Sequence, residues 1–283
     1  TTLFRSVIIQ ALRILRKLEK KFSYCNGLNL THRSLLSVVK YPIPRAAATA
    51  GKFIYDDDYY FYINLLAENQ LDLNPGEKTI DAQIMDLADE IAYAAHDLED
   101  ALSRNMVTIE DIEYEFQISD EFRGAREQFR EIVTQSRNTA FQANLLKTSE
   151  EFAIIFRKEL TSNIVNRLVA DISVVTNLNG FQELGFGKLN ALSEGLKKLL
   201  FKVIMRKRNI LTYEFRGNKI IRDLYDFYNE GENYKFLPPE LKFTLPQPDS
   251  CIFKISKKRA VVDYISGMMD TFAVKEWETH CLK

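Results

Sequence analysis

Apolar positions recur at helical intervals through most of the chain. Residues 3–22 set Leu3, Val7, Leu12, Leu15 and Leu18 at such spacings, with basic residues between them. Gly27-Leu28-Asn29-Leu30-Thr31 breaks that helix, and Thr31 is then suited to cap a short helix through Val39. Tyr41-Pro42-Ile43-Pro44 stops it, because each proline pushes the residue before it out of helical geometry. Residues 45–58, with Gly51 and the run Asp56-Asp57-Asp58, read as a loop, followed by a helix over 58–69 and a turn at Asn74-Pro75-Gly76. From Thr79 to Ser103 the helical pattern is strongest, with Ile80, Ile84, Leu87, Ile91, Leu98 and Leu102 on one stripe.

Thr108 and Asp111 have the spacing of a capping box. Residues 119–146 and 149–175 read as long helices, and Asn177 to Gly187, with three glycines, as the main internal break. An amphipathic helix over 188–208 ends in Arg206-Lys207-Arg208, where cations suit the negative helix end. Residues 211–216 read as a short extended piece, 218–229 as a helix, 231–250 as a proline-rich loop and 256–279 as the last helix. The pattern predicts an all-α protein forming one continuous body.

Composition narrows the function classes. The 283 residues carry 38 Lys+Arg against 39 Asp+Glu, so bulk positive charge does not drive nucleic-acid binding. Only 11 Gly and 7 Pro disfavour a turn-rich all-β fold. Three cysteines with no CxxC spacing make neither a disulfide framework nor a cysteine-rich zinc site. No run of eighteen apolar residues suggests a membrane span, and Arg5, Arg13 and Arg16 interrupt the first apolar residues, unlike a signal peptide. A cytoplasmic setting without membrane contact is expected.

The candidate chemistry lies on the 79–103 helix. Asp89, Tyr93 and Asp97, spaced i, i+4, i+8, share one face. Ala88, Ala92, Ala94 and Ala95 around them would let a ligand or another helix come close. Such carboxylates coordinate a hard divalent cation or accept bonds from sugar hydroxyls, and a solvated acidic face gives the same pattern. His32, His96 and His280 have no paired metal-ligand spacing, and Walker, Rossmann, HExxH and GxSxG motifs are absent. Lys40 and Lys52 flank the proline-rich break and suit an anionic ligand.

Several blocks then follow in a specific order. They are Gly27-Leu28-Asn29-Leu30-Thr31, Val39-Lys40-Tyr41-Pro42, Gly51-Lys52-Phe53, and Asp86-Leu87-Ala88-Asp89-Glu90-Ile91-Ala92-Tyr93 through His96-Asp97-Leu98-Glu99-Asp100. Later come Arg157-Lys158-Glu159-Leu160-Thr161-Ser162, Glu214-Phe215-Arg216-Gly217 and Asp263-Tyr264-Ile265-Ser266-Gly267-Met268-Met269-Asp270. From about Gln10 to about Glu278 the set resembles the bacterial dGTPase-like deoxynucleoside triphosphate triphosphohydrolases of the HD superfamily.

The resemblance implies an all-α, HD-domain dNTPase-like body. Residues 1–176 would be the C-terminal part of the catalytic core, and 177–283 a helical region packed on it. It implies hydrolysis of dNTPs, dGTP among them, to a deoxynucleoside and tripolyphosphate with a divalent metal, Mg2+ or Mn2+. Asp89 matches a metal ligand, and Tyr93 and Asp97 match positions that recognise the sugar and its 3′-hydroxyl. Lys40, Tyr41 and Lys52 match parts of the nucleotide pocket. The family's first His, its His-Asp pair and its catalytic His/Glu segment would precede residue 10, so the catalytic residues are expected in an upstream segment. The alternative is a non-catalytic dNTP-binding or regulatory homologue that lacks the HD metal centre. A homo-oligomer is also implied. Lys197, Lys198, Lys202, Arg206, Lys207 and Arg208 raise single-stranded DNA as a further candidate partner.

Overall fold

The computed structural model describes residues 10–48, 53–143, 147–177 and 180–282. They form a helical protein with one two-stranded hairpin, and divide into compact units of Ile8–Lys207 and Arg208–Lys283.

Within Ile8–Lys207, the first described turn is wide: the Glu19 N–H reaches back to the Ile14 carbonyl at 3.0 Å. Gly27 lies against it with φ +73°, and an added Cβ would stand 2.4 Å from the Leu15 and Arg16 carbonyl oxygens. Only glycine allows that approach. Thr31 caps α1 (His32–Ser37), accepting from the Ser34 N–H. The next helix, α2 (Asp56–Glu68), begins two residues earlier than the pattern predicts. Asp56, Asp57 and Asp58 form its first turn, where carboxylates offset the positive helix end. Leu12, Leu35, Leu36, Val39, Tyr62 and Leu65 pack into one apolar cluster.

Thr79 caps α3 (Ile80–Ser103), accepting from the Ala82 N–H at 3.2 Å. Its buried face is Leu87, Ile91, Ala94, Ala95, Leu98 and Ala101, whereas Ile80 and Ile84 of the expected stripe are exposed. The buried alanines let the later helices Ser149–Ala170 and Asn190–Met205 pack closely on α3. Thr108 and Asp111 form the expected capping box of α4 (Ile109–Ile118). The helices α5 (Arg126–Phe141) and α6 (Ser149–Ala170) follow, both shorter than expected.

The end of the predicted 149–175 helix is instead β1 (Ile172–Thr176), paired antiparallel with β2 (Gln182–Phe186). β-branched side chains favour this extended form once a partner strand is available. Asp171 joins the hairpin to α7 (Asn190–Met205), its carboxylate accepting from the Lys188 and Leu189 N–H groups. Gly195 of α7 lies against Phe116, whose Cε1 is 2.5 Å from where a Cβ would stand.

In the second unit, residues 211–216 are not extended. They belong to α8 (Arg208–Asn229), which buries Ile220, Leu224 and Tyr228. One turn of helix, α9 (Pro239–Lys242), interrupts the proline-rich segment. The predicted last helix is two, α10 (Phe253–Ser266) and α11 (Asp270–His280), parted at Gly267-Met268-Met269. These pack around Tyr228, Leu237, Val261 and Ile265.

Candidate functional site

The solvent-facing stripe of α3 carries Ala88, Asp89, Ala92, Tyr93, His96 and Asp97. Eight residues at 1.5 Å rise make the Asp89–Tyr93–Asp97 row about 12 Å long. Ala94 and Ala95 do not border it; they lie beneath, in the core.

Lys40, just beyond α1, meets the N-terminal end of this row. Its Nζ lies 2.5 Å from Asp86 Oδ1 and 3.3 Å from Asp89 Oδ2. Lys78, immediately before the cap of α3, pairs with the other Asp86 oxygen. Burial alone pushes the Asp86 carboxyl up, but the hydrogen bonds from Lys40 and Lys78 outweigh it and hold the group below its ordinary value. Burial likewise opposes the Lys40 charge, and the hydrogen bond and attraction to Asp86 overcome it, so its pKa is raised. Tyr41 is half-buried next to the cluster, and burial raises its phenol pKa.

Farther along the row, the Tyr93 phenol is raised by burial and then by the Asp89 and Asp97 charges. Lys197 of α7 sits 5.4 Å from the Tyr93 ring centroid, within cation–π range. Burial, followed by Asp100, raises the Asp97 carboxyl, with His96 opposing. Asp97 also borders a hollow of about 200 Å3 with Arg104 and Lys197. Behind the row, a cavity of about 390 Å3 lies between α3, β2 and the start of α7, bordered by Lys78, Gln83, Asp86, Glu90, Glu183 and Glu194. Burial and the neighbouring Asp86 raise the Glu90 carboxyl.

The fold therefore brings Lys40, Tyr41, Asp89 and Tyr93 together, with Asp97 one turn farther on. Lys52 lies outside the described residues. Lys78 joins the site without having been singled out in the sequence, and Asp86 and Lys197, named there only within a block and a basic cluster, join it as well. For Asp86 a local signal existed, since it lies one turn before Asp89. Lys78 and Lys197 arrive from outside α3 and have no such signal.

Of the basic residues on α7 and at its C-terminal cap, Lys198 pairs with Glu121 and Glu194, and Lys202 and Arg206 share the buried Glu115. Among the described residues, no three His, Cys, Asp or Glu side chains come together to hold a metal ion, and no helix is long and apolar enough to cross a membrane. Asp89 alone does not make a metal centre. Cys25, Cys251 and Cys281 are free thiols.

In the 157–162 block Leu160 is in the core, and Thr161 donates to Glu99 of α3 at 2.9 Å. In the second unit, Tyr213 donates to Asp270 at 2.8 Å, tying α8 to α11.

Residues 188–279 match the family model of the phosphohydrolase-associated domain. The chain is 46% identical, over 96% of its length, to deoxyguanosinetriphosphate triphosphohydrolase-like protein 2 of Vibrio cholerae serotype O1, of which it spans 64%. It is 28% identical to a deoxyguanosinetriphosphate triphosphohydrolase-like protein of Rickettsia typhi and 27% identical to one of Rickettsia felis, spanning 66% of each. The chain thus spans about two thirds of the length of these curated relatives. In its ordered sequence blocks, its helical fold and this near-complete match along the chain, it is similar to the dGTP triphosphohydrolase-like proteins of the HD superfamily.

Proposed function

We propose that this chain supplies the nucleotide-binding part of a deoxynucleoside triphosphate triphosphohydrolase. The reaction is dNTP plus water giving a deoxynucleoside and tripolyphosphate. Water attacks the α-phosphorus and the bond to the 5′-oxygen breaks. The observation that carries the reading is the meeting of Lys40 with Asp89 at one end of the Asp89–Tyr93–Asp97 row. A dNTP has an anionic end and a sugar end, and this face has a partner for each. Lys40 offsets the negative charge of the phosphate oxygens as water adds to the α-phosphorus and the 5′-oxygen departs. The Tyr93 ring packs on the deoxyribose, and Asp97 accepts from the 3′-hydroxyl. Tyr41 completes the pocket wall, and Lys52 is proposed as a further phosphate-binding lysine.

A divalent metal, Mg2+ or Mn2+, belongs to this reading, with Asp89 as one carboxylate donor. The described residues do not complete its coordination, so no step is derived through it. A homo-oligomer in a cytoplasmic setting is also proposed. Single-stranded DNA has less support, because Lys198, Lys202 and Arg206 are engaged with carboxylates.

The test is to incubate the intact native protein with each dNTP and Mg2+ or Mn2+, and separate the products by anion exchange. Tripolyphosphate together with deoxynucleoside is expected. Pyrophosphate or orthophosphate as the only phosphate product overturns the reaction. Nucleotide binding without turnover under either metal leaves a dNTP-binding homologue.

A further inference from the structure

We infer that Lys78 is a positioning residue for the phosphate-facing lysine, Lys40, and acts through the Asp86 carboxylate. This rests on the nucleotide-binding role of Lys40 proposed above. Lys40, beyond α1, comes from a distant stretch to meet Lys78, just before α3, and Asp86, eight residues farther on in α3. Their side chains are 13%, 21% and 12% exposed, so the charges interact across largely covered space.

The charge count gives Lys78 its role. A lone Lys40–Asp86 pair would be neutral, with the lysine's charge spent on its partner. Lys78 occupies one oxygen of Asp86, and Lys40 the other. With Asp89 counted, two lysines face two carboxylates; Lys78 offsets Asp86, so that Lys40 can exchange its Asp89 contact for an anion, whereas without Lys78 the cluster would be net negative. The Lys40 contacts are also unequal, 2.5 Å to Asp86 and 3.3 Å to Asp89. The longer, more exposed one is the contact a phosphate oxygen replaces while Asp86 keeps the lysine in place. Lys78 is itself fixed, because Gln83 Nε2 donates to the Lys78 carbonyl at 3.0 Å while Gln83 Oε1 accepts from the Leu184 N–H at 2.9 Å. The hairpin thereby sets the starting point of the chain Lys78–Asp86–Lys40.

The experiment compares Lys78→Gln, Lys78→Arg and Lys40→Met in the intact native protein. Gln keeps an N–H donor for Asp86 while removing the charge, and Arg restores the charge. Inorganic tripolyphosphate affinity is measured by calorimetry, and KM and kcat are measured for a dNTP. Lys78→Gln should weaken tripolyphosphate binding and raise KM by about five- to tenfold, with kcat within about twofold of wild type. Lys78→Arg should return both close to wild type. A purely structural lysine would not divide KM from kcat in this way. If Lys40→Met weakens binding and Lys78→Gln does not, or if Lys78→Arg fails to rescue, the positioning role is overturned and the nucleotide site stands. If Lys40→Met leaves tripolyphosphate binding intact, the proposed role of Lys40 itself fails.

Discussion

Replacing Lys40 by Met keeps an apolar stem of similar length and removes the charge. The Asp86 carboxylate is then left with one cation, Lys78, instead of two. Removing the only partner of a buried charge costs about 3–5 kcal/mol. Here Lys78 remains and both members of the lost pair are largely covered, so the expected loss at pH 7 is about 1–2 kcal/mol. The pH dependence identifies the cause. Asp86 is held below its ordinary value in the folded protein. Its contribution is therefore present above the unfolded carboxyl pKa of about 3.9 and lost as the pH falls through the lower folded value. Removing Lys40 raises that folded value. The stability gap between wild type and variant should be widest near pH 7 and narrow as the pH falls below about 4, through the lowered folded value. Urea unfolding followed by far-UV circular dichroism at pH 7, 4 and about 3 measures it. A gap that stays constant over that range would refute the reasoning, since lost packing does not titrate.

Three other outcomes are expected. Gly195→Ala forces a methyl group against the Phe116 ring in the core and should cost about 1–3 kcal/mol in urea unfolding. Thr108→Ala removes one half of the α4 capping box and should cost about 1 kcal/mol, visible as a lower thermal midpoint. Tyr93→Ala removes the ring beside Lys197 and the proposed sugar contact, and should raise the dNTP KM about tenfold with little change in thermal midpoint, because the ring is substantially exposed.

Much of the candidate site was legible because it lies on one helix. A period of 3.6 residues fixes that Asp89, Tyr93 and Asp97 share a face, whatever surrounds them. The same rule could not say which alanines border that face. Ala88 and Ala92 do, whereas Ala94 and Ala95 fall on the buried side, where α6 and α7 meet α3. The partners of Asp86 were hidden for another reason. An ion pair between residues 40 and 86 is a product of chain folding, and nothing local to either residue announces it.

The sequence by itself determined what short-range physics controls. Thr31 and Thr108 cap their helices as expected, the long helix runs from the cap at Thr79, and Asn74-Pro75-Gly76 turns the chain. Caps and turns satisfy backbone groups within a few residues, so they can be read locally. Tertiary structure decided the rest. Ile172–Thr176 became a strand because Gln182–Phe186 returned to pair with it. Leu211 to Arg216, which alternates like a strand, became helical as part of α8, whose later residues Ile220, Leu224 and Tyr228 are in the core. Lys78 and Lys197 reached the α3 face only through packing. A strand, a buried helix face and an ion pair each need a partner distant in sequence, and only the folded chain supplies it.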